Sequence, residues 1–217
     1  MSGVSPLPRQ FVVAGTDTGV GKTLVSAMLV AGLGASYWKP IQSGLSEESD
    51  SALVRQLCAR HDDPCLPEAY RFHAPISPHA AAAAEGISIT RANLRLPKVN
   101  GRLIVEGAGG LMVPINEQTL LIDLIRDWGL PVLLVARNRL GVINHTLLSL
   151  AALRQSAIEV IGVVLNGGRN AVNRQAIEAY GGVEVLAEIP LLTVVDPAAL
   201  RTAYVTFFSG HEATPGD

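Results

Sequence analysis

The sequence predicts an α/β fold, a mostly parallel sheet with helices on both faces, and three observations predict it. Apolar runs of strand length alternate with longer segments of helical periodicity. The run at 131–136 (PVLLVA) carries no polar alternation, which marks a strand covered on both sides. A glycine-rich turn joins the first apolar run to the first helical segment, the arrangement found at the ligand edge of doubly wound sheets.

Taken in order, strands are expected at 11–14 (FVVA), more weakly at 37–40 (YWKP), then at 103–105, 131–136, 160–165 and 183–187. Helices are expected at 22–33, ending near Gly34, and at 51–60, after the capping-type pair Ser49-Asp50. Further helices are expected at 120–128, 146–155 and 171–180, the last stopped by Gly181-Gly182. The alanines at 80–84 read as a short small-residue helix face. The polar end at 209–217 reads as a flexible tail.

At 217 residues, 48% hydrophobic and 17% charged, residues 1–217 suit one domain with a sizeable core. A net charge of −2 without a basic run argues against nucleic acid as a partner. No stretch approaches the roughly 20 apolar residues that span a bilayer, and residues 1–10 show no secretion signal. No membrane association and a cytoplasmic location are therefore expected. Cys58 and Cys65 fit neither a disulfide framework nor a CxxC metal pair, and read as ordinary thiols in a polar helix–loop region.

The segment at 15–23 (GTDTGVGKT) carries the most chemistry. It follows a strand and opens a helix, where converging backbone N–H groups and the helix N-terminus favour phosphate. Gly19 and Gly21 permit close approach, Lys22 is placed to reach the β and γ phosphates, and Thr23 to bind Mg²⁺. Five residues, where the common motif has four, separate Gly15 from Gly21. The context still assigns a P-loop NTPase-like domain. Mg²⁺ on a nucleotide draws carboxylate ligands. Glu106, at the end of an apolar strand and before Gly107-Ala108-Gly109-Gly110, is placed to be one. Asp50 is ambiguous, and by position alone reads first as a helix cap.

Seven segments then coincide in order with one family: GTDTGVGKT at 15–23, WKPIQSG at 38–44, ISPH at 76–79, VEGAGG at 105–110, GVINH at 141–145, VLN at 164–166 and AEIP at 187–190. The chain resembles the dethiobiotin synthetases. The resemblance implies an ATP- and Mg²⁺-dependent ligase acting on 7,8-diaminopelargonic acid and CO₂ or bicarbonate, and a homodimer. One amine captures CO₂ as a carbamate, ATP phosphorylates it, and the second amine closes a cyclic urea.

By the same resemblance, Lys39, Lys22 and Thr18 are catalytic, with Lys39 acting on the carbamate. Thr23, Asp50 and Glu106 hold the metal, which turns Asp50 from a cap alone into a ligand that can do both. Gly19, Val20, Gly21, Lys22, Thr23, Leu24, Asp50, Glu106, Gly107, Ala108 and Gly109 surround the phosphates and metal, and Asn166, Gly167, Pro190, Leu191 and Leu192 the base. Substrate contacts fall to Thr18, Lys39, Ser43, Gly141, Val142 and Asn144. A helix start suits a carboxylate, although Asn144 also reads as an N-cap before a helix near Thr146. His79 and His145 read as structural. The segments 24–37 and 87–101 are shorter than in many family members, and position 19 is Gly where some carry an acid.

Two alternatives stand beside this reading. A cobyrinate-type amide synthetase would need a glutamine-hydrolysing domain, for which the chain lacks length. A partner-regulated ATPase switch would need a lysine where this chain has Asp17.

Overall fold

The structure, a computed structural model, describes residues 7–45, 48–208 and 210. The expected tail at 209–217 lies outside the described residues except for Gly210. The chain runs through β1 (Gln10–Gly15), α1 (Lys22–Leu33), β2 (Ser36–Trp38), β3 (Ile41–Ser43), α2 (Asp50–Cys58), β4 (Cys65–Leu66), β5 (Tyr70–Phe72) and α3 (Pro78–Ala84). After a 3₁₀ turn at Arg91–Leu94 come β6 (Leu103–Gly110), β7 (Pro114–Asn116), β8 (Thr119–Leu120), α4 (Leu121–Trp128), β9 (Val132–Arg137), α5 (Val142–Gln155), β10 (Val160–Asn166), α6 (Ala171–Gly181), β11 (Val185–Ile189) and α7 (Pro197–Phe208).

Seven strands form one parallel sheet in the order β11-β10-β9-β1-β6-β2-β4. Strand alternation divides the core into two layers. Val12 and Ala14 of β1 pack on one face with Leu124 and Ile125 of α4, Leu150 and Leu153 of α5 and Ile177 of α6. Phe11 and Val13 pack on the other with Met28 of α1, Val54 of α2 and Tyr204 of α7. The uninterrupted apolar run at 131–136 has this cause: Leu134 and Ala136 serve one layer, and Leu133 and Val135 the other.

From β1 the chain builds toward β2 on one side, and β9, β10 and β11 later extend the other. The ordering therefore reverses at β1, and a crevice opens beyond the carboxyl ends of the strands there. Because every strand of this sheet is parallel, the loops after β1, β2, β9, β10 and β11 reach the same rim as the glycine-rich end of β6.

Several expectations need correction. The helix expected at 146–155 begins at Val142, because Gly141, in the left-handed region at φ 96°, is its N-cap. Asn144 thus lies inside the first turn and is no cap. The cap of α2 is Ser49, whose Oγ accepts from the Ala52 N–H at 3.2 Å, and Asp50 is the first helical residue. Cys58 and Cys65 are buried in the core beside α1, not in a polar region. Both are free, and burial pushes their thiols up to about 11 and about 12, which keeps them protonated. The small pairs β3–β5 and β7–β8 escape a periodicity reading because each strand has only two or three residues. Helix α7 is also unexpected. Its signal was local: the Asp196 carboxylate accepts from the Ala199 N–H at 2.7 Å, and Pro197 occupies the first helical position.

Candidate active site

The loop after β1 is shaped by close approach. A Cβ on Gly15 would lie 2.9 Å from Lys22 Nζ, and one on Gly21 would lie 2.0 Å from Asn166 Nδ2. Gly21 also needs its φ of 100°, which L side chains rarely adopt. Lys22 Nζ donates to the Asp17 carbonyl at 2.9 Å, so its ammonium folds back over the loop. Asn166, at the end of β10, donates from Nδ2 to the Val20 carbonyl at 3.0 Å and ties that strand to the loop.

Beneath the loop lies a charged cluster with little access to water. Glu106 is fully buried on β6, and Lys39, one residue past β2, is 5% exposed. Lys39 Nζ stands 2.9 Å from Glu106 Oε1 and 2.6 Å from Asp50 Oδ2. The Thr23 hydroxyl is 2.9 Å from both Asp50 Oδ1 and Glu106 Oε1. A hydroxyl has one proton, so it donates to one of these oxygens at a time. Tyr37 donates to the remaining Glu106 oxygen, Oε2, at 2.9 Å. Gln42 accepts from the Asp50 N–H at 3.0 Å and holds the start of α2 against β3.

The charges set one another. Burial works against the Lys39 ammonium, but Glu106 and Asp50 outweigh it and hold its pKa above the usual lysine value. Burial likewise opposes the Asp50 carboxylate, and Lys39 and Thr23 more than compensate, lowering its pKa. Lys22 has no ion pair as close and is lowered to about 8, chiefly by burial and then by repulsion from Lys39. Burial and the neighbouring Glu106 carboxylate push Tyr37 well above the ordinary phenol range, so it stays a donor.

A cavity of about 600 Å³ opens onto this cluster. Its walls include Thr18, Gly19, Gly21, Lys22, Thr23, Leu24, Lys39, Ser43, Asp50, Glu106, Ala108 and Gly109. The Ser43 hydroxyl is buried without a hydrogen-bond partner, an orphaned polar group of the kind a ligand satisfies. Two carboxylates and a hydroxyl converge at Thr23, Asp50 and Glu106. These hard oxygens fit Mg²⁺, which ordinarily takes the rest of its shell from phosphate and water.

A relative from Rhodopseudomonas palustris (strain TIE-1), an ATP-dependent dethiobiotin synthetase, is 47% identical over 93% of this chain and 95% of its own length. The chain belongs to the dethiobiotin synthetase family. A family profile described as an AAA domain matches residues 9–199. The biotin biosynthesis bifunctional protein of Bordetella avium (strain 197N) is 53% identical over 89% of this chain, which spans 42% of that longer protein. A nucleotide-binding protein from Archaeoglobus fulgidus, solved with ADP, shares the fold at a TM-score of 0.50 and 12% identity, covering 93% of this chain and 86% of that one.

Within this family member, the fold brings together most of the residues singled out from the sequence, but not all. Val20 and Val142 line a smaller cavity with Arg137 and His145, which shares Thr18 with the larger one. Gly107 is buried behind the site, where a Cβ would press on Leu121 at 2.9 Å. Gly141, Asn144, Pro190 and Leu191 are exposed, and Gly167 and Leu192 are partly so. His79 and His145 are both exposed, and His145 lines the smaller cavity. Tyr37 and Gln42 were missed. Gln42 stands inside the WKPIQSG segment, whereas Tyr37 read only as an apolar strand residue.

Proposed function

We propose that this chain closes a cyclic urea on 7,8-diaminopelargonic acid, consuming CO₂ and ATP and releasing dethiobiotin, ADP and phosphate. The observation that carries the reading is the buried Lys39, held beside two carboxylates at the floor of the cavity and next to the phosphate loop. A carbamate and a triphosphate repel each other unless cations hold them together. Lys22 is the cation for the phosphates and Lys39 for the carbamate, with Thr18 and Ser43 orienting the substrate. Mg²⁺ bound by Thr23, Asp50 and Glu106 would neutralise phosphate charge as ATP is attacked.

In the reaction, one amine adds to CO₂ and loses a proton, giving the carbamate. Its oxygen takes the γ-phosphoryl group, and ADP leaves. The second amine attacks the carbamoyl carbon, the C–O bond to phosphate breaks, and phosphate departs with a proton released. The chain's part is to hold both anions in line and keep water from the anhydride.

The rim has the finer roles. Asn166, already held against the loop, has further amide donor and acceptor capacity to read adenine, with Gly167 and the 190–192 segment beside it. The N–H groups at 141–144, at the start of α5, suit the substrate's distal carboxylate. Leu140 and Leu148 are exposed at 103% and 63%, which supports a second copy packing along this helix as a homodimer. Among the described residues no helix is long and apolar enough to cross a membrane.

The deciding assay supplies the diamine, bicarbonate, Mg²⁺ and each nucleoside triphosphate in turn, and detects dethiobiotin directly. Product formation that needs ATP and Mg²⁺ is expected. Nucleotide hydrolysis without dethiobiotin would overturn the proposal.

A further inference from the structure

Among the described residues Glu106 is the one carboxylate with no solvent exposure, and its two oxygens have different surroundings. Oε1 meets Thr23 and Lys39, both on the cavity wall. Oε2 faces the core and takes the Tyr37 hydroxyl at 2.9 Å. Tyr37 is itself fully buried. The register explains how it arrives there. Tyr37 is opposite Ile104, and Glu106 is two residues further along β6 on the same face, so the ring lies along the strand toward the carboxylate.

We infer that Tyr37 is a positioning residue that makes Glu106 a one-oxygen ligand and thereby sets the site's choice of cation. The inference rests on the proposed role of Glu106 at Mg²⁺. Mg²⁺ demands a tight octahedral shell, in which a carboxylate gives one oxygen, whereas Ca²⁺ is larger and readily takes both. Tyr37 holds Oε2 toward the core, so a two-oxygen grip would have to turn the carboxylate and strain or break a buried hydrogen bond. The arrangement presents Oε1 to the cavity, favours the small ion and penalises the large one. Replacing Tyr37 by Phe removes the hydroxyl and keeps the ring.

The test measures equilibrium binding of a non-hydrolysable ATP analogue by calorimetry, with no metal, with Mg²⁺ and with Ca²⁺, to wild-type protein and to Tyr37→Phe. Expected is unchanged affinity for the metal-free analogue, because the loop is untouched. The Mg²⁺ concentration for half-saturation should rise about tenfold, the scale of a lost outer contact to a ligand, while that for Ca²⁺ stays level or falls. An equal change for both ions, or none for either, overturns the inference and leaves the role of Glu106 standing. A wild-type protein indifferent to both ions would overturn the metal reading, and this inference with it. If Tyr37→Phe does not fold, the wild-type crystal structure with Mg²⁺ and the analogue decides. One-oxygen coordination through Oε1 with Tyr37 still on Oε2 supports the inference; a two-oxygen grip or a detached Tyr37 overturns it.

Discussion

Just past β2 and midway along β6, Lys39 and Glu106 are 5% and 0% exposed, whereas in the loops after β9 and β11 Leu140 and Leu191 stand 103% and 77% exposed. The two ends of one crevice are thus built differently. The charged end is held together by its own residues: Tyr37, Thr23, Asp50 and Lys39 all hold Glu106 or one another through hydrogen bonds and ion pairs. The rim end leaves side chains in water, where we propose that nucleotide, substrate or a second copy covers them. The contrast teaches that catalytic electrostatics must be fixed in advance, since reorganising buried charge during reaction is costly. Recognition of a base or a distal carboxylate can wait for the ligand.

Mutations at the two ends should therefore fail in different ways. The largest effect is expected from Lys22→Ala, with kcat for dethiobiotin formation down about 10³-fold as a charge aimed at the transferred phosphoryl group disappears, while circular dichroism and melting stay near wild type. Near-normal turnover by a folded variant would show the phosphates bind elsewhere. Glu106→Gln comes next. The Mg²⁺ concentration for half-maximal rate should rise at least about tenfold, because a neutral amide replaces a charged ligand. An unchanged Mg²⁺ titration removes Glu106 from the metal shell.

A pH test sharpens the same contrast within the charged end. Lys22 sits at about 8, against an ordinary 10.5, and triphosphate charge favours its ammonium. Nucleotide binding above pH 8 should then take up a proton, and affinity should fall as pH rises further. The calorimetric binding heat should vary with the ionisation heat of the buffer in that range; no variation contradicts the shift. The sign for stability is opposite. Between pH 8 and 10.5 the unfolded chain holds the Lys22 proton and the fold does not, so the contribution of this group to stability rises with pH. The smallest effect belongs to the rim. Asn144→Ala should raise KM for the diamine about threefold with kcat unchanged, the pattern of lost uniform binding. A matching fall in kcat would move Asn144 into the chemistry.

The same division governs what the sequence discloses. Gly15 to Thr23 was legible because strand, loop and helix are consecutive, and the anion site needs no distant partner. Glu106 was legible as an acid before a glycine run, although β6 continues through those glycines to Gly110 and places it mid-strand, not at the strand end expected. Lys39 was not legible by physics alone. A lysine after a three-residue strand reads as solvated, and only the pairing of β2 with β6 puts it beside Glu106. Asp50 read by position as a helix cap, and the structure gives that role to Ser49. Tyr37 and Gln42 act through hydrogen bonds to residues 69 and 8 positions away, which no local period encodes. The start of α5 was misplaced because Gly141 caps it through backbone conformation, a signal weaker in sequence than an asparagine.

The central claim, that a preassembled buried cation at Lys39 serves the chemistry rather than nucleotide binding, is tested most directly by single-turnover formation of dethiobiotin in Lys39→Met, with ATP affinity measured on the same preparation. A rate lower by about 10²-fold or more with ATP affinity within about threefold of wild type is the predicted result. An unchanged single-turnover rate accompanied by lost ATP affinity would contradict it.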